Sequence, residues 1–474
     1  MVESETLTVL LCMTIALPFL AAIGLVLVPA KHHAFLRPYT LITLGLCFAV
    51  GWLPAEDGSL WQHALEGNPI SAYLHLGSRH IQLVFNAQNA GMCFALLTLL
   101  FTTTAIHPFH SPEKIKPFIT ATLLICAFVL GSFIVAHTLL SLSLALSTHF
   151  FFWLLMTQMG TGQRSQTALR VFSLFIVFDA IALGFVLAPE SLFNFIPYPW
   201  ALAMGTFLAS WLRLGIFPFH SLHRWVARSI SPSVALLFTM TQFILGIHFA
   251  PEQALSDSLL GPATHLLPIL LVVHFLWIGL LSIGERRPMM IFTHAILLLS
   301  AFTLLAFEQI KLPFSIHGPW PWAMAALATL GLFVDELHNL KNDILASFEH
   351  AQVGLLKRWP QMHSFAQIHV LLFAVLLMAL PLWSLGMPEN TFFQTHVAHQ
   401  WHFTELVALL MAFIFGLLSI HTALFQLWRR WNTPAPVERV HLPEGAAPPV
   451  VWRWHLSGTL GIALFWTGFL FHFS

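Results

Sequence analysis

A few ionisable residues stand inside long apolar stretches of this chain, where each needs a partner or a purpose. A charged side chain at the centre of a bilayer costs about 2.5–3.5 kcal/mol on insertion scales. Arg213 is the clearest case, in the run Trp211-Leu-Arg-Leu-Gly-Ile-Phe-Pro-Phe-His220. Pro218 has no backbone N–H to donate, so it is expected to break the helix and free carbonyls beside a buried cation. Broken helices of this kind line ion and substrate pathways in transporters. The plainer alternative is that Arg213 snorkels to the surface with Arg224 and Arg228. Asp179 lies in the preceding apolar stretch, and Arg213 is its natural counter-ion; packing against a neighbouring helix is the alternative. Histidines number 27 against 20 Lys and Arg together, and His149, His274, His294, His369 and His421 fall within apolar stretches. Imidazole exchanges protons in both directions near neutral pH, so such residues could relay protons across a membrane. A neutral histidine bonded to a backbone carbonyl is the bland reading of each.

Other sets point away from catalysis. His396, His399 and His402 have ligand-like spacing but no acidic or cysteine partners, so no metal site is expected. The four cysteines form no CxxC pair. Neither GxxxxGK[ST] nor GxGxxG occurs, so no nucleotide cofactor is expected, the chain is expected to hydrolyse no ATP itself, and any active transport must draw on ion gradients or a partner subunit. Asp335 and Glu336 end an apolar stretch, either as a solvated helix end or as a carboxylate pair that docks a partner. Acidic groups at a helix C-terminus oppose the helix dipole, which favours docking.

The elements that must hold these residues follow from composition. Of 474 residues 57% are hydrophobic and 8% charged, with a mean hydropathy of +0.79. Soluble domains carry about 25% charged residues, so the chain is expected to be an all-α, polytopic membrane bundle in contact with lipid. A net charge of +0 excludes a basic nucleic-acid-binding face. With roughly 20 apolar residues per crossing, about fourteen spans are expected. They begin near residues 6, 36, 82, 117, 138, 168, 199, 232, 262, 288, 320, 364, 404 and 455. The stretch 55–80 reads as a non-spanning loop, and 431–454 as a Pro-rich connector before the last helix. With both termini outside, 17 of the 20 basic residues fall in cytoplasmic loops, as the positive-inside bias requires. The whole of 1–474 is therefore read as one transmembrane domain in a cell inner (plasma) membrane. Pro218 and Pro381 are the expected helix breaks.

Several motifs carry a resemblance. Ala136-His-Thr-Leu-Leu140, Arg213-Leu-Gly-Ile-Phe-Pro-Phe-His220, Pro232 to Gly246, Glu285-Arg-Arg-Pro-Met-Met-Ile-Phe-Thr293, Gly354 to Pro360 and Leu380-Pro381 stand in order along the chain. Together they resemble the antiporter-like membrane subunits of respiratory complex I and Mrp cation antiporters, over a core of about 80–390 followed by C-terminal helices in 404–474. The departures are as informative. The family's fifth-span Glu falls on Leu146, with His149 one turn on; its seventh-span Lys is Arg213; its eighth-span His is Phe238; its twelfth-span Lys falls near Glu389. This thinning of ionisable groups resembles the DabB-type branch. That resemblance implies passage of H+ or Na+ to energise a cytoplasmic, zinc-containing, carbonic-anhydrase-like DabA-type partner in inorganic-carbon uptake. An antiporter-like subunit of a complex I-type or membrane-bound hydrogenase oxidoreductase is the alternative. The implied ion pathway includes Arg213, Asp179, His149, His274, His294 and His369, with Asp335 and Glu336 as the docking end.

The topology is testable by labelling. Cysteines introduced near Glu56, Glu190 or Glu389 should react with an impermeant reagent from outside, and cysteines near Arg286 or Arg358 should not. Reversed labelling at any two positions would sink the fourteen-span orientation.

Overall fold

The computed structural model describes residues 5–307, apart from short stretches at 30–32, 55–57, 67, 77–78, 107–111, 160–161, 188–197, 231, 251–256 and 286–287. The spans expected near 320, 364, 404 and 455, the 431–454 connector, and His369, Pro381, Asp335 and Glu336 lie outside the described residues. Within them the chain is almost wholly helical. The helices are α1 (Glu5–Leu27), α2 (His33–Val50), α3 (Leu60–Leu65), α4 (Ala87–Ile106), α5 (Pro112–Ile134), α6 (Thr138–Met159), α7 (Gly162–Leu187), α8 (Tyr198–Leu214), α9 (His220–Ser229), α10 (Pro232–His248), α11 (Asp257–Gly284) and α12 (Pro288–Phe307). Every span expected between residues 6 and 288 has a helix within a few residues of its place.

The third start, near 82, falls in a strand. Residues 79–85 form strand β2 (Arg79–Phe85), which pairs antiparallel with β1 (Ile70–Leu76) in the register Ile70↔Phe85 to Leu76↔Arg79. Helix α4 begins only at Ala87, where the Asn86 side chain accepts from the Asn89 N–H at 2.8 Å. The stretch read as a loop thus holds α3 and a hairpin. The hairpin also ties down the α5–α6 connection, because Leu83 bridges Val135 and Gln82 O accepts from the Ala136 N–H at 3.0 Å. Apolar content could not reveal it: a short apolar run suits a strand as well as the first turns of a span.

Helices α1, α5 and α6 are long and apolar enough to cross a bilayer. Bulky apolar side chains lie exposed along α1, α2 and α11, among them Leu20, Val26, Ile42 and Leu280. Apolar surface of that extent suits lipid rather than water. The chain is a multi-pass membrane protein. Helix α10 is the hub, packed against α4, α6, α8, α9 and α12. A helix enclosed on all sides should be apolar all round, and α10 is, apart from groups such as Thr239, Thr241 and Gln242 that are themselves fully buried.

The expected break at Pro218 is present. Helix α8 stops at Leu214, α9 starts at His220, and residues 215–219 between them are not helical. Gly215 makes the turn at φ +63°, a left-handed conformation that side chains rarely adopt. A Cβ there would also come within 2.5 Å of a Leu297 methyl and 2.7 Å of the His223 ring. Gly215→Ala should therefore lower stability by about 1–3 kcal/mol, measured by thermal unfolding in detergent. A wild-type melting temperature would show that the turn tolerates a side chain.

Candidate functional site

The site is assembled from four helices. Asp179 comes from the middle of α7, and Arg213 from the last turn of α8. The two helices run in contact because Gly205 brings α8 against the α7 backbone; a Cβ at Gly205 would sit 2.7 Å from Ala182 O. That closeness lets Arg213 Nη2 donate to Asp179 Oδ2 at 2.7 Å. From α6, His149 Nδ1 lies 2.6 Å from the same oxygen. From α10, Gln242 Oε1 lies 2.7 Å from His149 Nε2. All four are buried, with Asp179 3% and Arg213 1% exposed.

Arg213 therefore does not snorkel. Its Nη1 donates to Ala209 O at 3.0 Å, and its guanidinium carbon sits 5.1 Å from the Phe249 ring centroid. The pairing expected with Asp179 is met, and its cause is plain. Both charges are buried, and among the described residues each is the other's ionic compensation, with His149 beside them.

Hydrogen-bond accounting around His149 points to chemistry. Both ring nitrogens face oxygens, one of a carboxylate and one of an amide, which accept but do not donate. His149 Nε2 donates to Gln242 Oε1, while Nδ1 lies beside the Asp179 carboxylate without completing a hydrogen bond to it. Turning the Gln242 amide over would present its NH2 to His149 Nε2 instead. Rotation of that one amide thus exchanges an acceptor for a donor at His149 Nε2. Arg213 supplies a permanent charge and takes no part in proton exchange. His149 Nδ1, Asp179 Oδ1, Arg213 Nε and Gln242 Nε2 are buried without a hydrogen-bond partner among the described residues.

The other expected histidines are engaged elsewhere. His274 on α11 accepts from the Phe217 N–H at Nδ1, 3.1 Å, and its Nε2 lies 3.2 Å from Leu297 O. That is a neutral ring with both nitrogens committed to backbone groups, and it serves the helix break. His294 on α12 accepts from Arg224 Nε at 2.8 Å, with its Nδ1 3.2 Å from Ser282 Oγ. Since the Ser282 hydroxyl already donates to Ile278 O, His294 donates to it and is likewise neutral as placed. Of the histidines assigned to the pathway, His149 alone among the described residues enters the charged centre.

Sequence reasoning missed Gln242, His223 and His248. His223 on α9 has Nε2 3.1 Å from Leu212 O, and its Nδ1 has no hydrogen-bond partner. His248 Nε2 lies 3.3 Å from Ser141 Oγ. A search for ionisable residues alone passes over a glutamine, although a lone amide in an apolar helix is itself a signal.

With this geometry in place, comparison with known proteins is informative. No model of a protein family matches the chain, and no curated protein sequence does. Solved structures do. A chain of respiratory complex I from Thermus thermophilus with bound NADH is 15% identical, with a TM-score of 0.65, covering 97% of this chain and 95% of that one. A chain of the Mrp complex from Dietzia sp. DQ12-45-1b is 15% identical at a TM-score of 0.61, covering 97% and 94%. A chain of the membrane-bound sulfane sulfur reductase, an archaeal respiratory membrane complex, is 14% identical at 0.63, covering 98% and 95%. The protein shares the fold of these chains.

The charged pair carries a stability prediction. Arg213→Ala or Asp179→Ala leaves one uncompensated buried charge and should cost about 3–5 kcal/mol, whereas the double substitution should be milder. Thermal unfolding of the three purified variants measures it. Additive losses in the double variant would mean that the two charges do not compensate each other.

Proposed function

We propose that the chain is the ion-conducting membrane subunit of a two-component inorganic-carbon uptake system. It passes a cation to energise a cytoplasmic, DabA-like zinc protein that hydrates CO2 or takes up bicarbonate. The observation that carries the conduction reading is the buried centre at His149, Asp179, Arg213 and Gln242, beside the break between α8 and α9. Intramembrane ionisable groups facing a bundle interior mark ion pathways, and broken helices line them. The proton is favoured over Na+ as the ion. Asp179 Oδ2 is already shared by two bases, and the fixed guanidinium charge repels a metal cation from that carboxylate. His149 with Gln242 can take or release a proton without moving a charge-bearing helix.

The carbon-uptake half of the proposal rests on the resemblance to DabB-type subunits, whose partner would dock at the Asp335–Glu336 end. The chain itself needs no metal or cofactor in this reading. A second reading, a proton-translocating subunit of a complex I-type or membrane-bound hydrogenase oxidoreductase, is favoured by the fold shared with chains of respiratory complexes. Co-purification of the tagged chain separates them: a large zinc-binding subunit supports the first, and oxidoreductase subunits support the second.

Conduction is tested by function. His149→Gln should retain folding yet lower proton transport, because it removes the one imidazole of the centre. Growth at low carbon dioxide and proton uptake by proteoliposomes read the effect. Wild-type proton uptake in the folded variant would place the pathway elsewhere.

A further inference from the structure

Three phenylalanines pack against one another and against the rings of His149 and His223, with Phe175 touching both. Phe172 and Phe175 come from α7 and Phe238 from α10, and all are fully buried. The Phe172 and Phe175 rings lie 5.7 and 5.6 Å from the His149 ring, centroid to centroid. The Phe175 and Phe238 rings lie 5.2 and 5.5 Å from His223. The three rings also touch one another, at 5.7, 5.6 and 5.4 Å, with Phe172 and Phe175 tilted and Phe238 edge-on to both. Phe152 of α6 backs Phe238 at 5.3 Å.

Polar groups stand on each side of these rings. Towards His149 there are Asp179 Oδ1 and Gln242 Nε2, and towards α9 there are His223 Nδ1 and His220 Nδ1. All four atoms are buried without a hydrogen-bond partner among the described residues. Past His223, α9 runs on to an exposed end at Arg228. His220, Arg224 and Arg228 recur every four residues along one face of α9. Arg228 is exposed and pairs with Glu285 at 2.8 Å. Among the described residues no hydrogen bond joins His149 to His223. Proton transfer needs donors and acceptors within about 2.6–3.2 Å, or bridged by one water, and benzene rings supply neither.

We propose that Phe172, Phe175 and Phe238 form a dry gate in the ion path, holding the His149–Asp179–Arg213 centre apart from the α9 ladder that leads to the surface. The proposal rests on the conduction reading above. Hydrophobic constrictions gate by excluding water, so the path closes when the rings meet and opens when they part and a water bridges His149 to His223. The same wall bars a hydrated metal cation, which is too large and too strongly solvated to pass between packed rings.

The test is a gain of leak. The full chain, with the subunits that co-purify with it, is reconstituted into liposomes carrying an internal pH dye, and a pH step is applied. Phe238→Gln puts an amide into the wall and should raise passive proton flux about tenfold or more by wetting the constriction. Phe118→Gln, at an equally buried ring on α5 outside the wall, should leave flux at the wild-type level. If Phe238→Gln does not fold, Phe238→Tyr keeps the ring, adds a hydroxyl and carries the same expectation. Wild-type flux in a folded Phe238 variant would overturn the gate, and so would equal leak from Phe118→Gln. Failure of the conduction reading looks different: the wild-type assembly then transports no protons under any driving force, and Asp179→Asn changes nothing.

Discussion

Everything around the break between α8 and α9 depends on one buried ion pair. Arg213 is a permanent cation with no access to water, and Asp179 at 2.7 Å is what makes its burial tolerable. The pair fixes the relative height of α7 and α8, and His149 of α6 joins it at the same carboxylate oxygen. Gln242 of the central helix α10 joins through His149. A single shared oxygen thus holds the register of several helices. Among lipid-facing helices, packing by shape alone discriminates register weakly, because the hydrocarbon outside is as apolar as the side chains inside.

The interruption of the helix is made tolerable by side chains that take over backbone groups. His274 accepts from Phe217 N, His223 donates to Leu212 O, and Trp211 Nε1 donates to Phe217 O at 2.9 Å. Ser210 reaches across to Gly246 O at 2.7 Å and ties α8 to α10. An unsatisfied backbone group in hydrocarbon costs several kcal/mol, so each of these bonds is a condition of having a break at all. The buried histidines around the break therefore serve three ends. His274 and His223 serve the backbone, His294 holds Arg224, and His149 serves the charged centre.

The arrangement separates fixed charge from exchangeable proton. Arg213 sets the electrostatic background and never changes state. The His149–Gln242 contact can be satisfied with the ring nitrogen as donor or as acceptor, depending on which end of the amide is presented. A carboxylate flanked by a permanent and an optional positive charge is an economical way to hold a proton transiently. The surrounding phenylalanines keep the field of these charges undiluted, since interactions weaken as water enters.

Composition and periodicity determined a good deal on their own. Membrane residence, helical class, the approximate position of each described span and the break at Pro218 follow from local properties: twenty-odd apolar residues need a helix in lipid, and proline lacks a donor. Arg213 and Asp179 were also legible as a candidate pair, because isolated charges in apolar helices must find each other. What the sequence left open depended on which faces meet. The strand at 79–85 looked like the start of a span, since a few apolar residues do not distinguish the two. That His149 alone joins the centre, while His274 and His294 are bound elsewhere, is set by helix rotation and packing. The sequence does not express these, because histidine is equally at home in either role. Gln242 and the phenylalanine wall gain their meaning only from α6, α7, α9 and α10 converging, a long-range contact that no local pattern of residues encodes.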